Sequence, residues 1–279
     1  TNKVPNDFSF GELPENFDHF EPYLEASFKR VPLLENVGIR KFFAGPESFT
    51  PDTNTLLGEV PEIKNFFVCC GFNSIGIGSG GGAGKVTAEW MMNGHINEDL
   101  FIYDIKRFQK FHSEIKFITE RITETLGDLY GMHWPYKQHK TSRNQKLFPY
   151  HEELKKAGAC FGVSSGYERP MWFAKNNEKS EFEYSYNYQN WYPAVEFETK
   201  NARENVGLFD LTAFSKYDLK GKKAHSELQK ICTANIKNEV GKTTYTQMLN
   251  KDGGIETDLT VVCLDRNYFR IVTSAANRE

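Results

Sequence analysis

Apolar residues recur every three to four positions in some stretches of the chain and alternate in others, and these two rhythms predict most of its elements. Residues 14–36 (PENFDHFEPYLEASFKRVPLLEN) read as helix, with a proline near the start and another inside that bends or restarts it. Residues 39–62 read as a short strand, a turn-rich loop at Gly45-Pro46 and Thr50-Pro51-Asp52, and an extended return. The run Asn65-Phe-Phe-Val-Cys-Cys70 is expected to be a buried strand, followed by a glycine loop and a helix from Gly84 to Asn93. Ala83, Val86 and Trp90 then share one helical face, with Thr87 and Met91 beside them. A longer helix is expected over Ser113–Tyr130. There Ile115, Ile118, Ile122, Leu126 and Leu129 form a stripe that should pack in the core, and Ser113 is placed to cap the start.

Residues 133–150 (HWPYKQHKTSRNQKLFPY) are polar, basic and non-periodic, the best candidate for a connection between domains. His133 and His139 have no acidic or cysteine neighbours at ligand spacing, which favours solvated surface. Beyond them the periods shorten. HEELKKAGA reads as a short helix, CFGVSSGYERPMWF as strand and loop, and FETKNARENVG as a helix with Gly207 at its C′ position. LFDLTAFSKYDLKG reads as two short extended runs around a turn capped by Asp210, and KKAHSELQKIC as a helix. A β-meander fills 243–275, with turns at Asp252-Gly253-Gly254 and Asp265-Arg266-Asn267. In its middle strand Ile255, Leu259, Val261 and Cys263 alternate, so Asp258 faces the other way with Glu256 and Thr260. A carboxylate there is disfavoured by propensity, which leaves two readings: a functional group, or a solvated outer face.

Composition narrows the class. At 279 residues, with 39% hydrophobic and 14% aromatic side chains, the chain has material for one large globular domain or two smaller ones. A net charge of −3 without long runs of like charge argues against a nucleic-acid partner, and no apolar stretch reaches the length of a membrane span. The five cysteines are odd in number and include no CxxC pair, so no metal site is expected and buried, reduced thiols are. The chain opens on TNKVPNDFSF without an initiator Met and closes directly after an apolar run, so a fragment of a longer protein is expected.

The densest signal is CCGFNSIGIGSGGGAGK, in which seven of the fourteen residues from Gly71 to Gly84 are glycine. A Walker P-loop is excluded, because Val86 follows Gly84-Lys85 where Ser or Thr must reach Mg²⁺, and Ser79 holds the first glycine position. Gly76-Ile-Gly78-Ser-Gly-Gly81 formally fits a dinucleotide fingerprint, although it stands late in its domain. A tight loop packing strand on helix is a second reading. A loop whose backbone N–H groups and helix N-terminus face an anionic or electron-rich cofactor edge is a third.

The stretch GPESFTPDTNTLLGEVPEIKNFFVCCGFNSIGIGSGGGAGKVTAEWMMNG resembles the C-terminal end of the flavin domain of dimethylglycine and sarcosine dehydrogenases. YDIKRF and the helix after it resemble that family's short middle region. From about His151, HEELKKAGA, GYERPMWF, NVGLFDLTAFSKYDLKG, YTQMLNKDGGIETDLTV and TSAANRE resemble the folate-binding aminomethyltransferase of the glycine cleavage system. The resemblance implies an α+β to α/β multidomain chain. Residues 1–95 would close an FAD domain, 96–150 would bridge, and 151–279 would begin the folate domain. It also implies FAD and tetrahydrofolate as cofactors, a small N-methyl amine as substrate, and an electron acceptor of the electron-transfer-flavoprotein kind. The expected setting is bacterial cytoplasm or mitochondrial matrix.

Carried over position by position, the resemblance lays Gly71, Phe72, Asn73, Ser74, Ile75, Gly76 and Gly78 against the flavin pyrimidine ring, with Thr50 and Pro51 in the loop beside it. Monomeric sarcosine oxidases have a lysine at the place of Gly78, which makes prompt reaction with O₂ less expected here. The dinucleotide fingerprint and the histidine that bears covalent flavin belong to a part of the family's sequence ahead of these residues. On the folate side the resemblance gives Asp258 the catalytic role of holding the pterin-linked amine, with Tyr245 and Met248 lining the same cavity. Many relatives carry a second aspartate where this chain has Thr257. AEWMMNG, DIKRF and ERPMWF equally resemble the branch containing the regulatory subunit of pyruvate dehydrogenase phosphatase, so a non-catalytic, partner-binding role is the alternative. A plain aminomethyltransferase is a third reading, opposed by the flavin-like first 95 residues.

Overall fold

The computed structural model describes residues 7–9, 11–96, 98–132, 134–175 and 178–278. The chain forms two compact units, Thr1–Gly131 and Met132–Glu279. His133 lies outside the described residues, and His139 is half-buried.

In the first unit, Asn16 caps helix α1 (Phe17–Arg30) by accepting the His19 N–H at 2.9 Å. Pro22 lies inside this helix without ending it, and the restart comes at Pro32, which opens a 3₁₀ turn over Pro32–Asn36. Strands β1 (Leu56–Glu59) and β2 (Phe67–Cys70) pair antiparallel, with Leu57 opposite Cys69. β2 departs from the buried strand expected. Phe67 and Val68 are half-buried, while Cys69 and Cys70 are exposed, and β1 is the one strand paired with β2 among the described residues. Of the remaining thiols, Cys160 and Cys263 are buried as expected and Cys232 is half-buried.

Helix α2 runs from Gly76 to Asn93 and so starts eight residues before the expected Gly84. Glycine's low helix propensity is overridden by the row of Ala83, Thr87 and Trp90, which is buried farther along the helix. Ser79 adds a local tie, its hydroxyl donating to the Ile75 carbonyl at 2.8 Å. Gly94, left-handed at φ 74°, ends the helix. Helix α3 (Ile115–Leu129) also differs from expectation. Its buried row is Phe117, Arg121 and Thr125, whereas Ile118, Ile122 and Leu129 of the expected stripe are half-buried, Ile115 is 82% exposed and Leu126 is exposed. Within this row the Arg121 guanidinium lies over the Phe117 ring at 5.0 Å, a contact the apolar stripe does not announce. Glu114, not Ser113, stands at the N-cap, and the Ser113 hydroxyl bonds the Lys110 carbonyl instead.

In the second unit, α4 (His151–Lys156) leads into a hairpin of β3 (Ala159–Ser164) and β4 (Tyr167–Phe173), where a strand and loop were expected. Cys160, Trp172 and Ala194 of α5 (Tyr192–Glu204) form one small core. The segment before α4 is fastened to this hairpin: Arg143 pairs with the buried Glu168, and Lys146 bridges to Tyr167. α5 stops at Glu204 with Asn205 as C-cap, short of Gly207. Asp210 caps a turn as expected, its Oδ1 accepting the Thr212 N–H at 2.9 Å and hydroxyl at 2.6 Å. The expected run at 208–211 is not a strand.

The larger core belongs to an antiparallel sheet in the order β5-β8-β7-β6: Ser215–Lys220, Tyr268–Thr273, Ile255–Asp265 and Thr243–Leu249. Alternation puts Leu259, Val261, Cys263 and Phe269 on one face, where Ala224 and Leu228 of α6 (Ala224–Ile231) and Ile236 cover them. The opposite face carries Asp258. Among the described residues no helix is long and apolar enough to cross a membrane.

Candidate functional site

Two separate sets of residues carry candidate chemistry, one in each unit. In the first unit, the chain from Gly71 to Ile75 turns through three left-handed residues, Gly71 (φ 67°), Asn73 (φ 50°) and Ser74 (φ 67°), before α2 begins. Asn73 is 2% exposed. Its amide is committed inward: Oδ1 accepts the Thr50 N–H at 2.8 Å, and Nδ2 donates to the Gly71 carbonyl at 2.6 Å. Asn73 thus clips the 50–52 loop to the 71–75 turn, and its backbone N–H adds a bond to the Ser48 carbonyl at 3.2 Å. Thr50 is buried, and its hydroxyl donates to the Asn54 carbonyl at 2.8 Å. Pro51 and Phe72 are half-buried, whereas Ser74 and Ile75 are exposed, with the Ser74 hydroxyl on Glu47.

The start of α2 is bare. No side chain caps it, and no acidic residue occupies its first turn, so its leading N–H groups have no partner from the helix's own first-turn side chains at the positive end of the dipole. A Cβ built at Gly78, Gly80, Gly81, Gly82 or Gly84 would meet nothing within 4 Å. Packing among the described residues therefore gives no reason for these glycines, although each costs a helix about 1 kcal/mol relative to alanine. Such a surface admits a flat ring close to the backbone and offers it N–H donors, which suits the electron-rich edge of a flavin.

In the second unit, Asp258 is exposed on the face of the sheet opposite the core, and the Tyr245 hydroxyl donates to its Oδ2 at 3.1 Å. The backbone beneath is well fixed. The Asp258 carbonyl accepts the Thr273 hydroxyl at 2.7 Å, and the Asn277 amide donates to Thr273 at 3.0 Å and also to Thr257. Farther along the same face Asp218 stands opposite Arg270, which donates to it at 2.9 and 3.1 Å, and Tyr268 adds a third bond at 2.6 Å. The Arg270 hydrogen bonds hold the Asp218 carboxyl down at about 2. The sheet therefore brings Tyr245 and Asp258 together but turns Met248 away: Met248 packs against the core beside the buried Thr246. An exposed carboxylate with one hydroxyl donor suits a polar heterocycle that carries N–H groups.

The sequence reading missed Arg107, which binds Asp52 across 55 residues, and Arg143, which binds Glu168 across 25. Neither pair has a local spacing signal. The nearest hint was the basic pair inside YDIKRF.

Three domain models match the sequence in order: FAD dependent oxidoreductase over residues 4–90, FAD dependent oxidoreductase central domain over 93–147, and GCVT N-terminal domain over 150–279. The chain is 39% identical over 277 residues to 4-methylaminobutanoate oxidase (formaldehyde-forming) of Paenarthrobacter nicotinovorans, covering 99% of this chain and 34% of that protein. It is 34% identical over 284 residues to the mitochondrial sarcosine dehydrogenase of Mus musculus, covering 93% and 31%. To the mitochondrial pyruvate dehydrogenase phosphatase regulatory subunit of Mus musculus it is 33% identical over 276 residues, covering 96% and 31%. The chain spans about a third of the length of the curated relatives it matches.

Proposed function

The chain belongs to the FAD-dependent N-methyl amine dehydrogenase family that carries a glycine-cleavage T-protein-like module, and from that premise we propose that it supplies part of the flavin site and part of the folate site of such an enzyme. The observation that carries this reading is the uncapped, glycine-bare start of α2 beside the clipped 50–52 loop, within the matched FAD segment. Bound FAD supplies hydride acceptance and tetrahydrofolate a one-carbon acceptor. The residues present do the rest. Backbone N–H groups of Gly76, Ile77 and Gly78 would stabilise negative charge developing at the ring edge, and the inward Asn73 amide keeps them aimed. Asp258 would hold an amine N–H of the folate at its carboxylate while Tyr245 fixes the orientation of that carboxylate.

Domain boundaries near residues 95 and 150 are part of the proposal, supported by the gaps between the three matched models. The compact units divide earlier, at 131, because Arg143 and Lys146 fasten the preceding segment to the β3–β4 hairpin. We take the substrate to be a small N-methyl amine and the setting to be mitochondrial matrix or bacterial cytoplasm. The electron acceptor is taken to be of the electron-transfer-flavoprotein kind, since Gly78 stands where monomeric sarcosine oxidases have a lysine. A relative at 39% identity is named an oxidase, so O₂ is the competitor. Stoichiometric peroxide during amine turnover in air would overturn the acceptor assignment.

The folate half is tested by Asp258→Asn in the full-length protein. Amine-dependent bleaching of the flavin is expected to stay at the wild-type rate. Folate-bound one-carbon product, measured with a formaldehyde trap present, should fall by about 10²-fold while trapped formaldehyde rises. Unchanged transfer would remove Asp258 from the reaction. The regulatory reading rests on the 33% identity to the phosphatase subunit and predicts a protein without flavin. A plain aminomethyltransferase is disfavoured by the two FAD-type models that match residues 4–147.

A further inference from the structure

We propose that Arg107, which lies outside both segments assigned to the flavin edge, is a positioning residue for amine oxidation; the inference rests on the flavin reading above. Its side chain is 8% exposed. The guanidinium forks onto Asp52, with Nε on Oδ2 at 2.6 Å and Nη2 on Oδ1 at 3.0 Å. Nη2 also donates to the Asn54 carbonyl at 2.9 Å, and Nη1 to the Asp104 carbonyl at 3.1 Å. The guanidinium Cζ lies over the Phe108 ring, 4.3 Å from the centroid. Five contacts of this kind define one orientation for the group, and a lysine ammonium cannot reproduce a planar fork.

What the fork holds is a turn with its own strain. Thr53 sits at φ 57°, a region that a β-branched residue rarely adopts. Asp52 Oδ1 accepts the Asn54 N–H at 3.2 Å and lies 3.2 Å from the Thr50 hydroxyl, sharing its proton with the nearer Asn54 carbonyl, and the Thr50 N–H in turn bonds the Asn73 amide. The connections run from Arg107 through Asp52, Thr50 and Asn73 to the open start of α2. A guanidinium in the segment matched by the central-domain model thereby sets the geometry of a surface in the segment matched by the FAD model. A displacement of about 1 Å at such a surface is enough to cost about 10²-fold in rate.

The test uses the full-length protein with Arg107→Lys and Asp52→Asn. Dimethylglycine, sarcosine and 4-methylaminobutanoate serve as probe amines, and the one that bleaches wild-type flavin fastest is carried forward. Both variants are expected to retain flavin with shifted visible bands. At saturating amine the bleaching rate per bound flavin should fall by about 10²-fold for Arg107→Lys and about tenfold for Asp52→Asn, with little change in KM. If Arg107→Lys loses its flavin, Asp52→Asn decides by the same criteria. Wild-type bands and bleaching rates in the flavin-bearing variants, even with lower melting temperatures, would reduce Arg107 to packing and overturn the proposal while leaving the flavin reading intact. A wild-type protein that holds no flavin would instead bring down the flavin reading, and this proposal with it.

Discussion

Glu168→Gln is expected to destabilise the second unit by about 3–5 kcal/mol, because it leaves a guanidinium facing a group that no longer carries its charge. Glu168 is 2% exposed. Both of its oxygens are engaged by Arg143, Oε1 at 2.8 Å from Nε and Oε2 with Nη2, and Oε1 also accepts the Asn144 N–H at 2.8 Å. Glutamine has nearly the same shape but presents an NH₂ where an acceptor is required, so an amide would oppose the guanidinium. Arg143 additionally donates to the carbonyls of Phe161 at 2.9 Å and His139 at 3.2 Å. The loss therefore loosens the 139–146 segment from the hairpin as well as breaking the pair. Burial alone would raise the Glu168 carboxyl, but the bonds from Arg143 and Asn144 outweigh it and hold the group below the usual carboxylate range. A folded-state value below the unfolded one contributes stability that is present above about pH 4 and is lost as pH falls through the folded value. Urea unfolding followed by tryptophan fluorescence should show the wild type losing this stability in acid and the variant lacking it throughout. A loss under about 1 kcal/mol at neutral pH would show that the pair contributes little.

Gly58→Ala is expected to be nearly as damaging in the first unit. Gly58 has φ 105°, and a Cβ there would stand 2.4 Å from Cη2 and 2.5 Å from Cζ3 of Trp90, itself 8% exposed. The backbone strain and the overpacking each cost about 1–3 kcal/mol, so a total near 4 kcal/mol follows, with α2 pushed off the β1–β2 hairpin. Because Trp90 is a rigid ring on a helix, the alanine has nowhere to go unless the ring shrinks. Adding Trp90→Phe should recover part of the loss in a double-mutant cycle. If the two losses simply add, the clash is not the cause and the strain at φ 105° is.

What was legible in the sequence follows from how local each cause is. The meander in 243–275 and the outward face of Asp258 could be read, because strand alternation and turn residues lie within a few positions of one another. The start of α2 could not: a run of glycines carries the signature of a loop, and the buried Ala83, Thr87 and Trp90 that pull it into helix act from downstream. The stripe on α3, half-buried at Ile118, Ile122 and Leu129 and exposed at Ile115 and Leu126, shows the opposite failure. Its period was right for a helix, but Phe117, Arg121 and Thr125 took the buried row, since period alone does not say which face is covered. Met248 shares a strand with Tyr245 yet faces the core, a consequence of strand parity that was available and unused. The Asp52–Arg107 and Arg143–Glu168 pairs left no trace in spacing, and both reach across tens of residues.

The central claim is that the bare start of α2 belongs to a flavin site that oxidises an N-methyl amine. It is tested most directly by the visible spectrum of the natural polypeptide in its full length, recorded before and after adding dimethylglycine, sarcosine or 4-methylaminobutanoate without oxygen. The account predicts flavin bands, one near roughly 450 nm, that bleach with at least one of these amines. A folded, colourless protein that takes up no flavin would contradict it and leave the partner-binding reading in its place.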